Sequence, residues 1–159
     1  MISAKDAVLV EETGAGRYQV RASSGDHQLI IDEPTAYGGL GSGPNPFGLL
    51  CMALGSCSVI TMRFYAERKG WKLGPFSARV VHHKGGPQAR DRFERELFLG
   101  RVTPEQQERL LAIADKCPVH LLLEGGADVV TSLATSSLAD GKAEGLHPQV
   151  VDELCREAS

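Results

Sequence analysis

The chain carries no basic excess. Its 159 residues hold 17 Lys and Arg against 20 Asp and Glu, a formal net charge of −3 with a pI near 5.9. That balance argues against a nucleic acid or an anionic membrane as partner. The start, Met1 to Ala7, has no apolar core of signal-peptide length, so a soluble, cytoplasmic protein is expected. The glycine-rich run 37–44 precedes a helix but has neither Gly-Lys-Ser/Thr nor a dinucleotide fingerprint, which leaves a flexible connector as its reading. No internal repeat is visible. Among His82, His83, His120 and Cys117, no pair has C-x₂-C or H-x₃-H spacing, so no metal is expected. Four cysteines, Cys51, Cys57, Cys117 and Cys155, suit reactive, metal-binding or buried thiols better than a disulfide framework. The remaining composition, 42% hydrophobic and 23% charged, is that of an ordinary globular chain long enough for a real core.

What stands out is a long uncharged run. From Pro46 to Met62 there is no charge at all. Asn45 suits an N-cap and Pro46 the first helical position, while Gly70 suits a C-cap after the cationic Arg68 and Lys69. A helix between these limits is about 35 Å long. Being apolar on every side, it is expected to be buried on every side. Gly48, Gly55, Ser56, Ser58 and Thr61 interrupt it, which argues against a membrane span. Cys57 lies in its middle.

The flanking segments read as an α+β chain. Residues 7–11, 17–22 and 28–32 have strand character with turn signals between them, so an antiparallel meander is expected. Residues 76–83 and 93–99 predict two further strands, with Phe93, Arg95, Leu97 and Leu99 on one face of the second. Thr103-Pro-Glu-Gln106 predicts a capped helix ending near Cys117, whose successor Pro118 disfavours helical geometry at the thiol. Residues 119–123 are expected to continue into the core and 127–132 to form a last strand. Residues 136–145 read as a linker, and 147–157 as a short amphipathic helix packing outside. The expected division is a domain over 1–133 and a tail over 134–159.

A thiol in mid-helix is more often core filler than nucleophile, because burial raises its pKa. The dipole of its own helix gives no help, since Cys57 lies about three turns in and that effect fades beyond the first turn. A reactive Cys57 therefore requires a cation from elsewhere. Cys117, at a helix end beside a proline, is placed to be a resolving partner. Cys51 lies about 120° round the helix from Cys57 and reads as core. Cys155 reads as incidental, His120 as structural, and Trp71 and Phe76 as core or dimer contacts. Phe47 is a candidate lining for an apolar pocket.

The pieces Gly43-Pro-Asn-Pro, Ala53-Leu-Gly-Ser-Cys57, Arg63-Phe-Tyr-Ala-Glu-Arg-Lys-Gly-Trp71 and Ile113-Ala-Asp-Lys-Cys-Pro-Val-His120 resemble the OsmC/Ohr family of organic hydroperoxide reductases. The likeness is to its OsmC-like branch, which carries Asp32-Glu-Pro34 before the long helix, and it covers roughly residues 7–133. The resemblance implies an α+β fold of two antiparallel sheets around a long central helix, in an intertwined homodimer with sites at the subunit interface. It implies that Cys57 is the peroxidatic cysteine and Cys117 the resolving one, with no cofactor and an external dithiol as reductant, lipoyl-linked in the Ohr branch. Cys57 would become a sulfenic acid and then a Cys57–Cys117 disulfide. The activating arginine of the family matches Arg17, with Arg21 as the fallback. One departure stands out: where the family has a glutamate after the helix-opening proline, this chain has Phe47 and Gly48. Glu33, or Asp32, is the candidate to hold the arginine instead, with an exposed loop acid as the equal alternative for Glu33. The rival functions are a non-catalytic small-molecule binder of the same fold and a thiol-disulfide switch in stress response.

Overall fold

A computed structural model describes residues 6–139 and 145–158. The chain is α+β and divides into two compact units. The first comprises residues 1–49 and 129–146, the second residues 50–128 and 147–159.

The first unit is built on an antiparallel sheet of β1 (Leu9–Glu12), β2 (Val20–Ser24) and β3 (His27–Ile31), in the order β1-β2-β3. Leu9 opposes Ser23, and Val20 opposes Ile31. After β3, Asp32 gathers the loop that follows. Its carboxylate accepts from the Leu40 N–H at 2.9 Å, the Ser42 hydroxyl at 2.7 Å and the Glu33 N–H at 2.8 Å. Burial opposes its ionisation, but these donors together hold the carboxyl below its ordinary value. The connector is therefore folded back on an anchor. Gly43 sits so close to the Ile30 carbonyl that a Cβ there would lie 2.1 Å from its oxygen, so only glycine fits.

The long helix, α1 (Pro46–Arg68), begins where that loop ends. Asn45 caps it, its side-chain oxygen accepting from the Gly48 N–H at 2.8 Å. At the far end Trp71 N–H donates to the Ala66 carbonyl and Gly70 N–H to Glu67, with Gly70 at φ +68°, a Schellman closure that requires the left-handed residue. Both caps were legible. Burial on every side was not observed: Leu50, Met52 and Ile60 are exposed to 40%, 56% and 50%. The other described elements leave these positions of the helix uncovered. By length and hydropathy α1 would also pass for a membrane span. Yet Ser58 and Thr61 lie among its fully buried residues, inside a packed protein core.

In the second unit, β4 (Ser77–His83) and β5 (Arg92–Phe98) form an antiparallel pair, with Val80 opposite Arg95 and His82 opposite Phe93. Val80 lies against α1 at Gly55, where an added Cβ would meet its methyl at 3.4 Å. Helix α2 (Pro104–Ala114) starts with the expected capping box, Thr103 and Gln106 each bonding the other's backbone. The chain then turns at Cys117 directly into α3 (Pro118–Gly125), so residues 119–123 are helical, with Val119 and Leu123 packed on the core. Pro118 explains this: it ends one helix by restricting Cys117, then suits the first position of the next.

Residues 127–132 do not form the expected last strand. Val129, Val130 and Leu133 are 90%, 87% and 94% exposed, and among the described residues no neighbouring strand pairs with them. A strand without a ladder partner leaves its peptide groups to water. The linker expected over 136–145 lies partly outside the described residues. Helix α4 (Leu146–Glu157) is present but is not an external decoration. Val151 and Cys155 are fully buried in the core with Met62, Tyr65, Ala66, Phe76, Leu110 and Ile113. Asp152 also binds Arg68 of α1 at 2.7 Å. Cys155 is thus a core residue whose thiol pKa burial pushes up. Cys51 is only half-buried.

Candidate active site

Cys57 and Cys117 meet in the second unit. With Leu54 they form a buried cluster walled by Val80, Phe93, Val119 and Leu123. Cys57 is 2% exposed and Cys117 not at all, and the two thiols, which form no disulfide, each shift the other's ionisation. Sequence spacing alone did not reveal this meeting.

The cluster is not bare hydrocarbon. The first turn of α3 aims its unpaired backbone donors at the two sulfurs. Val119 N–H donates to Cys57 Sγ at 3.5 Å, and the His120 backbone amide favours ionisation of Cys117. Cys57 gains nothing from the dipole of its own helix, but it lies at the positive end of another one. A hydroxyl completes the cradle: Ser58 Oγ is 3.7 Å from Cys117 Sγ and donates to the Leu54 carbonyl at 2.6 Å.

A cation is present too, though neither Arg17 nor Arg21 supplies it in this unit. Arg95 on β5, with a side chain 10% exposed, donates to Ser58 Oγ at 2.8 Å and to the Ala114 carbonyl at 3.1 Å. Its other terminal nitrogen binds Asp115 at 2.8 Å. The signal for Arg95 was in the sequence: it shares the inward face of β5 with Phe93 and Leu97, and a lone guanidinium on an apolar face needs partners.

These contacts divide the pair's charge unequally. The adjoining Cys57 thiol comes first in holding the Cys117 thiol well below its usual range. Burial opposes it, and His120 N–H, Ser58 and Arg95 assist. Cys117 in turn, together with burial, pushes Cys57 up, against Val119 N–H and Thr61. Two thiols sharing a proton carry one negative charge between them. A second side chain missed from the sequence also reaches Cys57: His147 Nε2, from the first turn of α4, lies 3.1 Å from its Sγ.

A cavity of about 500 Å³ shares Leu54, Phe93 and Leu123 with this cluster, though neither sulfur lines it. The rest of its wall is polar or charged: Arg90, Asp91, Arg92, Arg95, Asp115, His120 and Glu124. The histidines named from the sequence each meet acids: His82 binds Asp91 at 2.8 Å, His83 binds Glu94 at 3.4 Å, and His120 lies by Asp115 and Glu124. Arg17 and Glu33 belong to the first unit, where both line a cavity of about 300 Å³ with Glu12, Tyr18 and Asp32. Arg21 is an exposed residue of β2 opposite Glu11. At the helix start, where an acid was missing, Phe47 is 47% exposed.

The fold finds its match among known proteins. The family model for OsmC-like protein matches residues 39–132, more than half of the chain, and the chain belongs to that family. Solved structures agree in fold. An organic hydroperoxide resistance protein OsmC from Legionella pneumophila is 20% identical, with TM-score 0.56 over 74% of this chain and 89% of that one. An OsmC-like protein from Mycoplasma pneumoniae is 17% identical, with TM-score 0.58 over 74% and 86%. The organic hydroperoxide resistance protein OhrB of Bacillus subtilis is 19% identical, with TM-score 0.53 over 76% and 91%. No match was found among curated proteins.

Proposed function

We propose that this chain is a thiol-dependent peroxidase that reduces organic hydroperoxides. The observation that carries the reading is the Cys57–Cys117 pair, gathered with Leu54 in one buried cluster at a helix N-terminus. Cys57 thiolate attacks the distal peroxide oxygen. The O–O bond breaks, an alcohol leaves, and sulfur is oxidised to the sulfenic acid. Cys117 then attacks that sulfur and expels water, leaving a disulfide. An external dithiol reduces it by exchange, and the protein itself contributes no cofactor. Leu54, Phe93 and Leu123 suit an alkyl or aryl peroxide better than hydrogen peroxide.

Arg17 is assigned to charge stabilisation during O–O cleavage and Glu33 to holding it, a reading supported by the cavity they share. Arg95 supplies a second cation, on the Cys117 side. The working form is an intertwined homodimer, supported by the apolar residues that one chain leaves open on α1 and over 129–133. Four cysteines in a chain with an ordinary packed core suit a reducing compartment better than a disulfide framework, and we assign the protein to the cytoplasm.

The test is consumption of cumene hydroperoxide with a lipoyl or small dithiol, comparing the wild type with Cys57→Ser and Cys117→Ser. Loss of turnover in Cys57→Ser is expected, and an undiminished rate there ends the reading. The missing helix-start acid at Phe47 favours one rival, a binding protein of the same fold. Tight retention of an apolar ligand without peroxide turnover would identify it.

A further inference from the structure

Residue 147 lies beyond the segment that matches the OsmC-like family, which ends at 132. The imidazole nevertheless lies 3.1 Å from Cys57 Sγ, nearer than Val119 N–H at 3.5 Å or Thr61 Oγ1 at 4.0 Å. The contact is built into the core. His147, Val151 and Cys155 follow one another at four-residue steps, so they share one stripe of α4. Val151 and Cys155 are fully buried, and the Arg68–Asp152 ion pair ties the same helix down. His147 is the polar head of an otherwise apolar, buried stripe.

The groups around the sulfurs define its task. Arg95 and Ser58 act on Cys117, with Asp115 and His120 beyond them, while Val119 N–H and Thr61 face Cys57. Those that favour ionisation most strongly are gathered on Cys117, the wrong sulfur for a first attack by Cys57. A base at Cys57 redresses this. In the neutral tautomer with Nδ1–H, Nε2 is an acceptor at 3.1 Å, and once protonated the imidazolium attracts the pair's charge to Cys57.

We propose that His147 is a further catalytic residue, which takes the proton of the Cys57 thiol and gives it to the alkoxide released from the peroxide. This rests on the peroxidase reading of Cys57. In the first step Cys57–SH and neutral His147 become thiolate and imidazolium. In the second, the thiolate electron pair forms an S–O bond to the distal oxygen as the O–O bond breaks. The sulfur loses two electrons to the peroxide. The leaving alkoxide takes the proton from His147, so alcohol and Cys57–SOH are formed with neutral imidazole restored. No proton has to come from water.

The test uses the full chain and His147→Gln. Iodoacetamide labelling is followed cysteine by cysteine through peptide masses across pH 5 to 10, alongside cumene hydroperoxide reduction. Near pH 7 both Cys57 labelling and peroxide reduction should fall about 100-fold, then recover as rising pH lets hydroxide replace the imidazole. Cys117 labelling should not fall. An unchanged Cys57 rate, or an equal fall at every pH, overturns the proposal, because a merely structural contact would scale the rate without reshaping its profile. A second measurement leaves α4 intact: the ring ¹⁵N shifts of His147 are titrated in wild-type and Cys57→Ser protein. A displaced titration is expected from a shared proton, and superimposable curves overturn it. Cys57→Ser also separates the two readings. If it reduces peroxide like the wild type, the peroxidase assignment fails. If it is inactive while His147→Gln keeps the wild-type profile, only the role of His147 fails.

Discussion

At the scale of single residues, the chemistry depends on how few donors it takes to make a buried sulfur ionise. Arg95 reaches Cys117 through Ser58 rather than directly, and its other nitrogen is neutralised by Asp115. Arg95→Met should therefore raise the pH midpoint for Cys117 labelling by about one unit, the lower end of what a nearby opposite charge supplies. Arg95→Lys should restore part of the shift, since a single ammonium keeps the charge but loses the fork. Labelling followed against pH reads both. The sequence singles out Cys57 and Cys117 through two cysteine motifs in a fixed order, and the fold brings the two into one buried cluster. Arg95 was visible only as a charge on an inward strand face. His147 gave no local signal, because its meaning arises from the four-residue stripe it shares with Val151 and Cys155.

Elements fold here largely for local reasons, and their ends were legible accordingly. The caps of α1 and α2 follow from Asn45-Pro46, Gly70 and Thr103-Pro-Glu-Gln106, each satisfying donors or acceptors within a few residues. Thr103→Ala should cost about 1 kcal/mol in chemical denaturation, the usual value of an N-cap. The turn between β4 and β5 is held by Asp91, which binds Lys84, His82 and the Gly85 N–H. These keep its carboxyl far below the usual carboxylate range. A depressed folded pKa contributes stability above the unfolded value of 3.8, and that contribution is lost as pH falls further. Asp91→Asn should thus lower the melting temperature at pH 7, with the gap to wild type narrowing below about pH 4. A gap independent of pH would exclude the charge as its cause. Residues 127–132 misled because alternation and β-branching describe a strand's faces but not its partner; without a partner in the described chain, no strand forms.

The whole molecule makes the largest demand on long-range contacts. The two-sheet α+β fold with a long helix was readable from element order and from the family resemblance. The coverage of α1 was not readable, because hydropathy reports how much surface wants burial and says nothing of what will bury it. Leu54, inside the thiol cluster, should cost about 2–5 kcal/mol when cut to alanine, and it should lower peroxide turnover as the cavity wall collapses. Ile60→Glu, on the exposed face of α1, should leave the monomer folded and shift sedimentation from dimer towards monomer if that face is the interface. Undisturbed sedimentation would remove it from the interface.

The most direct measurement is a single turnover without reductant. Fully reduced protein receives one equivalent of cumene hydroperoxide per chain, and the remaining peroxide, free thiols and linked peptides are counted. One equivalent consumed, two thiols lost and a single Cys57–Cys117 cross-link is the expected result. Peroxide left intact, or thiols lost at Cys51 and Cys155 while the buried pair survives, would contradict the assignment of this pair as the reacting centre.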